Sequence, residues 1–311
     1  MSGGPSKGAL LAEQSDRHAD RVPERARVCD EMRDSHEGSI VRSAYRGRIE
    51  HVSRAYHPTM ATLRERVLGG ETTFGTWLSM ASPVAGEIVG QAGFDWAVID
   101  TEHGMSTEAT LLPQIHAIGT TGATALVRIE RSDRLRVSRP LDMGAGGLVV
   151  PRVDGATDVE QALGWMRFPP AGQRGIALGI RGQGFGRVGH ADIGTLNDVV
   201  LGAFQIENAS AVADAEAIAA LPGADVLFVG PADLSHALGV PGRFDEPIYL
   251  AAIDEVVAAC RAHGKAAGIL LYDPAAIAPH LERGFTFIGL GSDGGFVMNG
   301  ARAMLAAAGR A

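Results

Sequence analysis

The sequence predicts an α/β chain folded as a (β/α)8 TIM barrel, and three observations lead there. Short apolar runs recur eight times over about 250 residues, the count and length of such a barrel. Amphipathic segments separate the runs. The runs are apolar at successive rather than alternate positions, as in parallel strands covered on both faces. The rival, a doubly wound open sheet, puts a glycine-rich turn after its first strand, and GTWLSMASP is not one.

The expected strands are residues 75–79 (GTWLS), 96–100 (WAVID), 124–129 (TALVRI) and 147–151 (GLVVP) in the first half. Residues 203–207 (AFQIE), 225–230 (DVLFVG), 266–270 (AAGIL) and 286–290 (TFIGL) follow in the second. Helical periodicity fills the gaps at 81–92, 107–119, 134–143, 158–168, 211–221, 248–263 and 274–283.

Composition places the chain among globular proteins: 311 residues, 46% hydrophobic and 21% charged. Two cysteines, Cys29 and Cys260, exclude a disulfide framework and a four-thiolate zinc site. The first 59 residues differ from the rest. They carry a net charge of +1, four of the ten histidines (His18, His36, His51, His57) and little apolar periodicity. They read as a disordered or loosely helical polar extension, 1–59, ahead of a barrel domain, 60–311, whose Met60 looks like a natural domain start.

The remainder carries −9. An acidic body with 5% aromatic residues is a poor match for nucleic acid, which needs clustered Lys and Arg. The N-terminus lacks the order of a signal peptide, and no apolar run reaches the ~18 residues that span a bilayer. The expected location is the cytoplasm, with no membrane partner.

A barrel directs the C-terminal ends of all its strands to one mouth, where catalytic groups lie. Those ends carry Asp100, Glu102 and His103 (DTEHG), Arg128 (LVRIE), Gln205 and Glu207 (FQIEN), Asp233 (VGPADLS), and Ser292 with Asp293. Glu207 and Asp233, from adjacent strands, make a carboxylate pair suited to Mg2+ or Mn2+, which favour oxygen ligands. Helix capping is the alternative for Asp233. Arg128 either holds a carboxylate or oxyanion through its forked donors or pairs with Asp100, Glu102 or Glu207. His103, preceded by Asp100 and Glu102, suits proton transfer near neutral pH, with a structural or solvated loop histidine as the alternative.

The glycine-rich stretch RGIALGIRGQGFGR, with Arg174, Arg181 and Arg187, reads as a flexible basic lid over an anionic substrate, or as solvated surface. Within it Gly184–Gly189 matches G-x-G-x-x-G, but no strand precedes the match and no clear helix follows, so it is no dinucleotide fingerprint.

From about Met60 onward the chain resembles the HpcH/HpaI aldolase family of metal-dependent class II pyruvate aldolases. The resemblance rests on GTWLSMASPVAGEIVGQAGFDWAVIDTEHG, LVRI, LDMGAGGLVVPRVD, FPPAGQRGIALG, FQIEN, GADVLFVGPADLSHALG and HGKAAGIL, taken in order. It implies a divalent cation on Glu207 and Asp233, with Gln205 organising the metal and substrate. It further implies that Arg128 stabilises an enolate, that His103 transfers a proton, and that Asp142 (LDMGA) is the acidic partner of His103. Backbone groups of Gly230, Pro231, Ala232 and Asp233 would hold a pyruvate carboxylate.

The implied reaction is cleavage of a 4-hydroxy-2-oxo acid to pyruvate and an aldehyde by a homo-oligomer, a trimer or hexamer. A citramalyl- or malyl-CoA-type lyase, an oxaloacetate decarboxylase and a non-catalytic 2-oxo-acid-binding barrel are the alternatives. The family often has Ser where Ala237 stands, and the lid is unusually glycine-rich, which leaves the aldehyde open. Tyr272 and Asp273 could touch the aldehyde or merely turn the chain.

Overall fold

A computed structural model describes residues 61–310; the extension expected over 1–59 lies outside them. Eight strands form a closed, all-parallel barrel in sequence order. They are β1 (Thr73–Leu78), β2 (Trp96–Asp100), β3 (Thr124–Arg128), β4 (Gly147–Val150), β5 (Leu201–Ile206), β6 (Val226–Val229), β7 (Ala266–Leu271) and β8 (Phe287–Ser292).

A short helix, α1 (Leu63–Leu68), precedes β1. The helices α2 (Pro83–Gln91), α3 (Glu108–Gly119), α4 (Arg134–Asp142) and α5 (Ala156–Met166) follow the first four strands in turn. After β5 come two short helices, α6 (Ala209–Ala213) and α7 (Ala215–Ala220). After β6 come α8 (Pro231–Ala237) and α9 (Pro247–Ala262), then α10 (Ile277–Arg283) after β7 and α11 (Asp293–Ala307) after β8.

Strand parity decides what faces the barrel axis. Trp77, Trp96, Val98, Leu126, Val149, Leu201, Ala203, Val226, Phe228 and Phe287 form the inner cluster. Their sequence neighbours Ala97, Ile99, Val127, Leu148, Phe204 and Leu227 belong to the outer cluster under the helices. Leu63 and Val67 of α1 join the inner cluster, so α1 closes the end of the barrel where the strands begin. Arg64 fastens it, with Nε and Nη2 donating to the fully buried Asp225 carboxylate at 2.8 and 3.0 Å.

The aromatic filling packs closely: Trp96 stacks on Phe287 at 4.1 Å, and Trp77 lies 5.2 Å from Phe228. Gly75 makes room for it, since a Cβ there would fall 1.9 Å from the Trp96 ring.

The expected strands all occur, with ends shifted by at most two residues and β2 matched at both ends. The helix expected over 211–221 is split at Asp214, whose side chain leaves its own helix to accept a hydrogen bond from the Ala156 N–H at 2.6 Å. Periodicity did not reveal α1, which is under two turns long, or α8. No described helix is long and apolar enough to cross a membrane.

Candidate active site

The inward parity of each strand continues past its apolar core to the C-terminal mouth. On β2 it runs Trp96, Val98, Asp100; on β3 it runs Leu126, Arg128; on β5 it runs Leu201, Ala203, Gln205 and then Glu207 just beyond the strand. The polar ends expected from sequence are therefore brought together by register.

Asp100 and Arg128 are direct partners across β2 and β3. Arg128 Nε and Nη2 donate to the two Asp100 oxygens at 3.0 and 2.7 Å, a bidentate fork. Arg128 Nη1 lies 3.2 Å from Glu102 Oε2. Asp100 also accepts the backbone N–H groups of Glu102 and His103, which fixes the turn carrying the histidine.

Burial pushes the Asp100 carboxyl up, but the hydrogen bonds and charge of Arg128 outweigh it and hold the group below the usual range. At Glu102 burial wins, and its carboxyl is raised despite the attraction of Arg128. Arg128, largely buried, is kept charged by Asp100 and Glu102. Of the two sequence readings of Arg128, the structure shows the ion pairing, with Asp100 and Glu102.

Glu207 sits opposite Gly230, because Ile206 pairs with Val229 and each chain runs one residue further. It is 7% exposed. Its Oε1 accepts the Arg152 N–H at 2.8 Å and its Oε2 accepts Gln205 Nε2 at 3.1 Å. A Cβ at position 230 would lie 2.6 Å from that Oε2, so glycine leaves the space the carboxylate occupies. Burial pushes the Glu207 carboxyl up to about 7; the Arg152 N–H counters this, and the nearby negative charge of Asp233 adds to it.

Asp233 lies in the first turn of α8, whose N-cap is Gly230. It is therefore not the cap itself. Pro231 brings no N–H, so Ala232 and Asp233 supply the backbone donors at this helix start.

A divalent cation fits this donor set. Gln205 Oε1 is buried with no hydrogen-bond partner among the described residues, and the neighbouring Glu207 carboxylate is repelled by the charge of Asp233. Among the described residues no three His, Cys, Asp or Glu side chains are grouped to hold an ion alone. The pair would need substrate or water oxygens to complete a shell, the usual habit of Mg2+.

Two expectations are corrected. Arg174 is not a free lid cation but 3% exposed, its Nη2 2.8 Å from Asp142 Oδ1 and its guanidinium over the Phe168 ring at 4.4 Å. Within the chain Asp142 is paired with Arg174, and no hydrogen bond or ion pair joins it to His103. His103 instead has Glu102 as its near acid, at 3.9 Å, and its side chain is 67% exposed. The glycine-rich stretch is anchored at two points, Arg174 and the fully buried Gln183, and a Cβ on Gly182 would strike the Leu141 carbonyl, while Ile176, Phe185 and Arg187 stay exposed.

Asp293 proves structural, accepting the N–H groups of Ser79, Met80 and Gly294 and the Ser79 hydroxyl. Trp77 was missed by sequence reasoning: its Nε1 is buried near the mouth with no partner among the described residues. An inward-facing tryptophan late in the first strand was the available signal. A separate cavity of about 280 Å3 between α3 and α4 has its charges paired internally, Arg139 with Glu108 and Arg136 with Glu130.

The profile of the HpcH/HpaI aldolase/citrate lyase group matches residues 73–300. A 5-keto-4-deoxy-D-glucarate aldolase of Klebsiella pneumoniae is 37% identical over 223 residues, 72% of this chain and 87% of its own length. A hydroxypyruvate/pyruvate aldolase of Agrobacterium fabrum is also 37% identical, over 72% of this chain and 84% of its own. Among solved structures, an HpcH/HpaI aldolase/citrate lyase family protein from Burkholderia cenocepacia superposes with a TM-score of 0.75 at 35% identity. The alignment covers 79% of this chain and 98% of that one.

Proposed function

The chain belongs to the HpcH/HpaI aldolase/citrate lyase family and is an aldolase; on that premise we propose that it reversibly cleaves a 4-hydroxy-2-oxo acid to pyruvate and an aldehyde, with Glu207, Asp233 and Gln205 holding Mg2+ or Mn2+. The carrying observation is the oxygen-only group at the mouth, in which the buried Gln205 Oε1 lacks a partner and the buried Glu207 feels the charge of the exposed Asp233.

The divalent cation supplies Lewis-acid withdrawal of charge from the 2-oxo group. The chain's own residues do the rest. Ala232 and Asp233 N–H groups orient the substrate carboxylate. His103, exposed to the mouth and braced by Glu102, takes the proton from the 4-hydroxyl directly or through water. The C3–C4 electron pair passes into the enolate of pyruvate as the aldehyde forms. Arg128, kept charged and aimed by Asp100, donates to the oxygen on which charge develops. Protonation at C3 releases pyruvate.

In this reading Asp100 is a positioning residue, since it aims Arg128. The test is aldol formation from pyruvate and a panel of aldehydes with Mn2+ and after EDTA. Metal-dependent product is expected, and none with any aldehyde contradicts the reading.

Metal binding and pH are linked through Glu207. Its raised pKa means the folded apoprotein holds a proton up to about pH 7 that the unfolded chain releases near 4.5. Apoprotein stability therefore falls as pH rises through that window, by up to about 3 kcal/mol. A cation displaces the proton, so Mn2+ affinity measured by titration calorimetry should rise roughly tenfold per unit to about pH 7 and then level off.

The chain is proposed to be a homo-oligomer. On α11, Phe296, Val297, Met298, Met304 and Leu305 are all exposed, an apolar surface that asks for a second copy. Light scattering should give a mass at least three times that of one chain, and a monomeric mass would refute this.

A further inference from the structure

Arg152 stands two residues past β4, on the side where the strands end. Its backbone is left-handed, with φ 54°, a conformation L side chains adopt at a cost. In that conformation its N–H donates to Glu207 Oε1 at 2.8 Å. Glycine or asparagine would present the same N–H with less strain, so the N–H alone does not account for an arginine here.

The side chain is exposed, and no described residue hydrogen-bonds or ion-pairs its guanidinium. Its charge nevertheless reaches Glu102, which also faces Arg128 and His103. Other arginines at the end of β3 and after it on this side are committed: Arg128 to Asp100, Arg131 to Asp133, Arg136 to Glu130 and Arg139 to Glu108. The mouth itself is rich in carboxylates, Asp100, Glu102, Glu207 and Asp233. They would repel an anionic group arriving at the far end of a substrate.

We propose that Arg152 determines specificity for the aldehyde half: its guanidinium binds a carboxylate at the distal end, so that the aldehyde produced is a negatively charged oxo acid. This rests on the aldolase reading above. The forked donors of arginine match a carboxylate in two hydrogen bonds, and an uncommitted guanidinium forms them without first breaking an ion pair. The same residue then serves both halves of the substrate. Its backbone holds Glu207 for the pyruvate half, and its side chain selects the other.

The test compares 4-oxobutanoate with butanal as acceptors of pyruvate, using the full chain with Mn2+, the wild type, R152M, R152K and R152N. Asparagine tolerates left-handed backbone, so R152N removes the charge without adding strain. The wild type should favour 4-oxobutanoate in kcat/KM. R152M and R152N should lower that preference by about tenfold or more, the worth of a hydrogen bond between charged groups, with R152K keeping part of it. Damage transmitted through Glu207 would lower both aldehydes alike and leave the ratio unmoved.

Deuterium exchange of the pyruvate methyl group needs no aldehyde and reports the enolate step separately. Exchange in the wild type with no preference for the charged aldehyde, or with a ratio unchanged in R152M and R152N, overturns the assignment of Arg152 alone. No exchange in the wild type overturns the aldolase reading and this assignment with it.

Discussion

Replacing Glu207 by glutamine should abolish turnover while leaving the apoprotein at least as stable as the wild type. The carboxylate is 7% exposed, crowded by Asp233, and raised to about 7, so in the apoprotein its charge is a burden. Glutamine keeps the shape and can still accept the Arg152 N–H, yet it removes the charge that would hold a cation. Loss of the Lewis acid should cost roughly a thousandfold or more in kcat, about 4 kcal/mol. The melting temperature of E207Q without metal should match or exceed that of the wild type above pH 7, and Mn2+ should no longer raise it. A residue serving only the fold would show the opposite, reduced stability with activity retained.

Loss of Arg128 should damage both stability and catalysis, and the two effects are separable. R128M leaves Asp100 and Glu102 in a pocket where their side chains are only 5% and 11% exposed, without the cation that compensates them. Breaking a buried pair of this kind costs roughly 3–5 kcal/mol. Catalysis should fall roughly a hundred- to a thousandfold in kcat, since a charged donor to the developing oxyanion is lost. Adding D100N to R128M removes the stranded carboxylate and should recover part of the stability but none of the activity. R128K keeps a charge but loses the two-pronged grip on Asp100, so its kcat should stay well below wild type. Urea unfolding and pyruvate release, measured on the same four proteins, check both parts. Activity that returned along with stability in the double variant would make Arg128 a purely structural residue.

Much of this arrangement is legible in the sequence because barrel geometry converts parity into position. Once WAVID is a strand with Trp96 and Val98 inward, Asp100 must also point inward at the mouth; the same argument places Arg128, Gln205 and Glu207. Partners across space are less legible. Arg174 and Asp142 are far apart in sequence, and nothing in RGIALGIRGQGFGR tells a solvated arginine from one buried under an ion pair and a phenyl ring. Backbone conformation is harder still: Arg152 has the left-handed φ usually reserved for glycine or asparagine, so its link to Glu207 leaves no trace in residue type. The short helix α1 escaped because a turn and a half of helix carries too few periods to register, although Leu63 and Val67 close the barrel.

The central claim is that the mouth forms a pyruvate enolate with the help of a divalent cation. Proton NMR of pyruvate in D2O with the purified protein tests it most directly, first with added Mn2+ or Mg2+ and then with EDTA. The account predicts loss of the methyl signal that requires metal, stops with EDTA and is absent from E207Q. A folded, metal-loaded protein that leaves the methyl signal intact would contradict it.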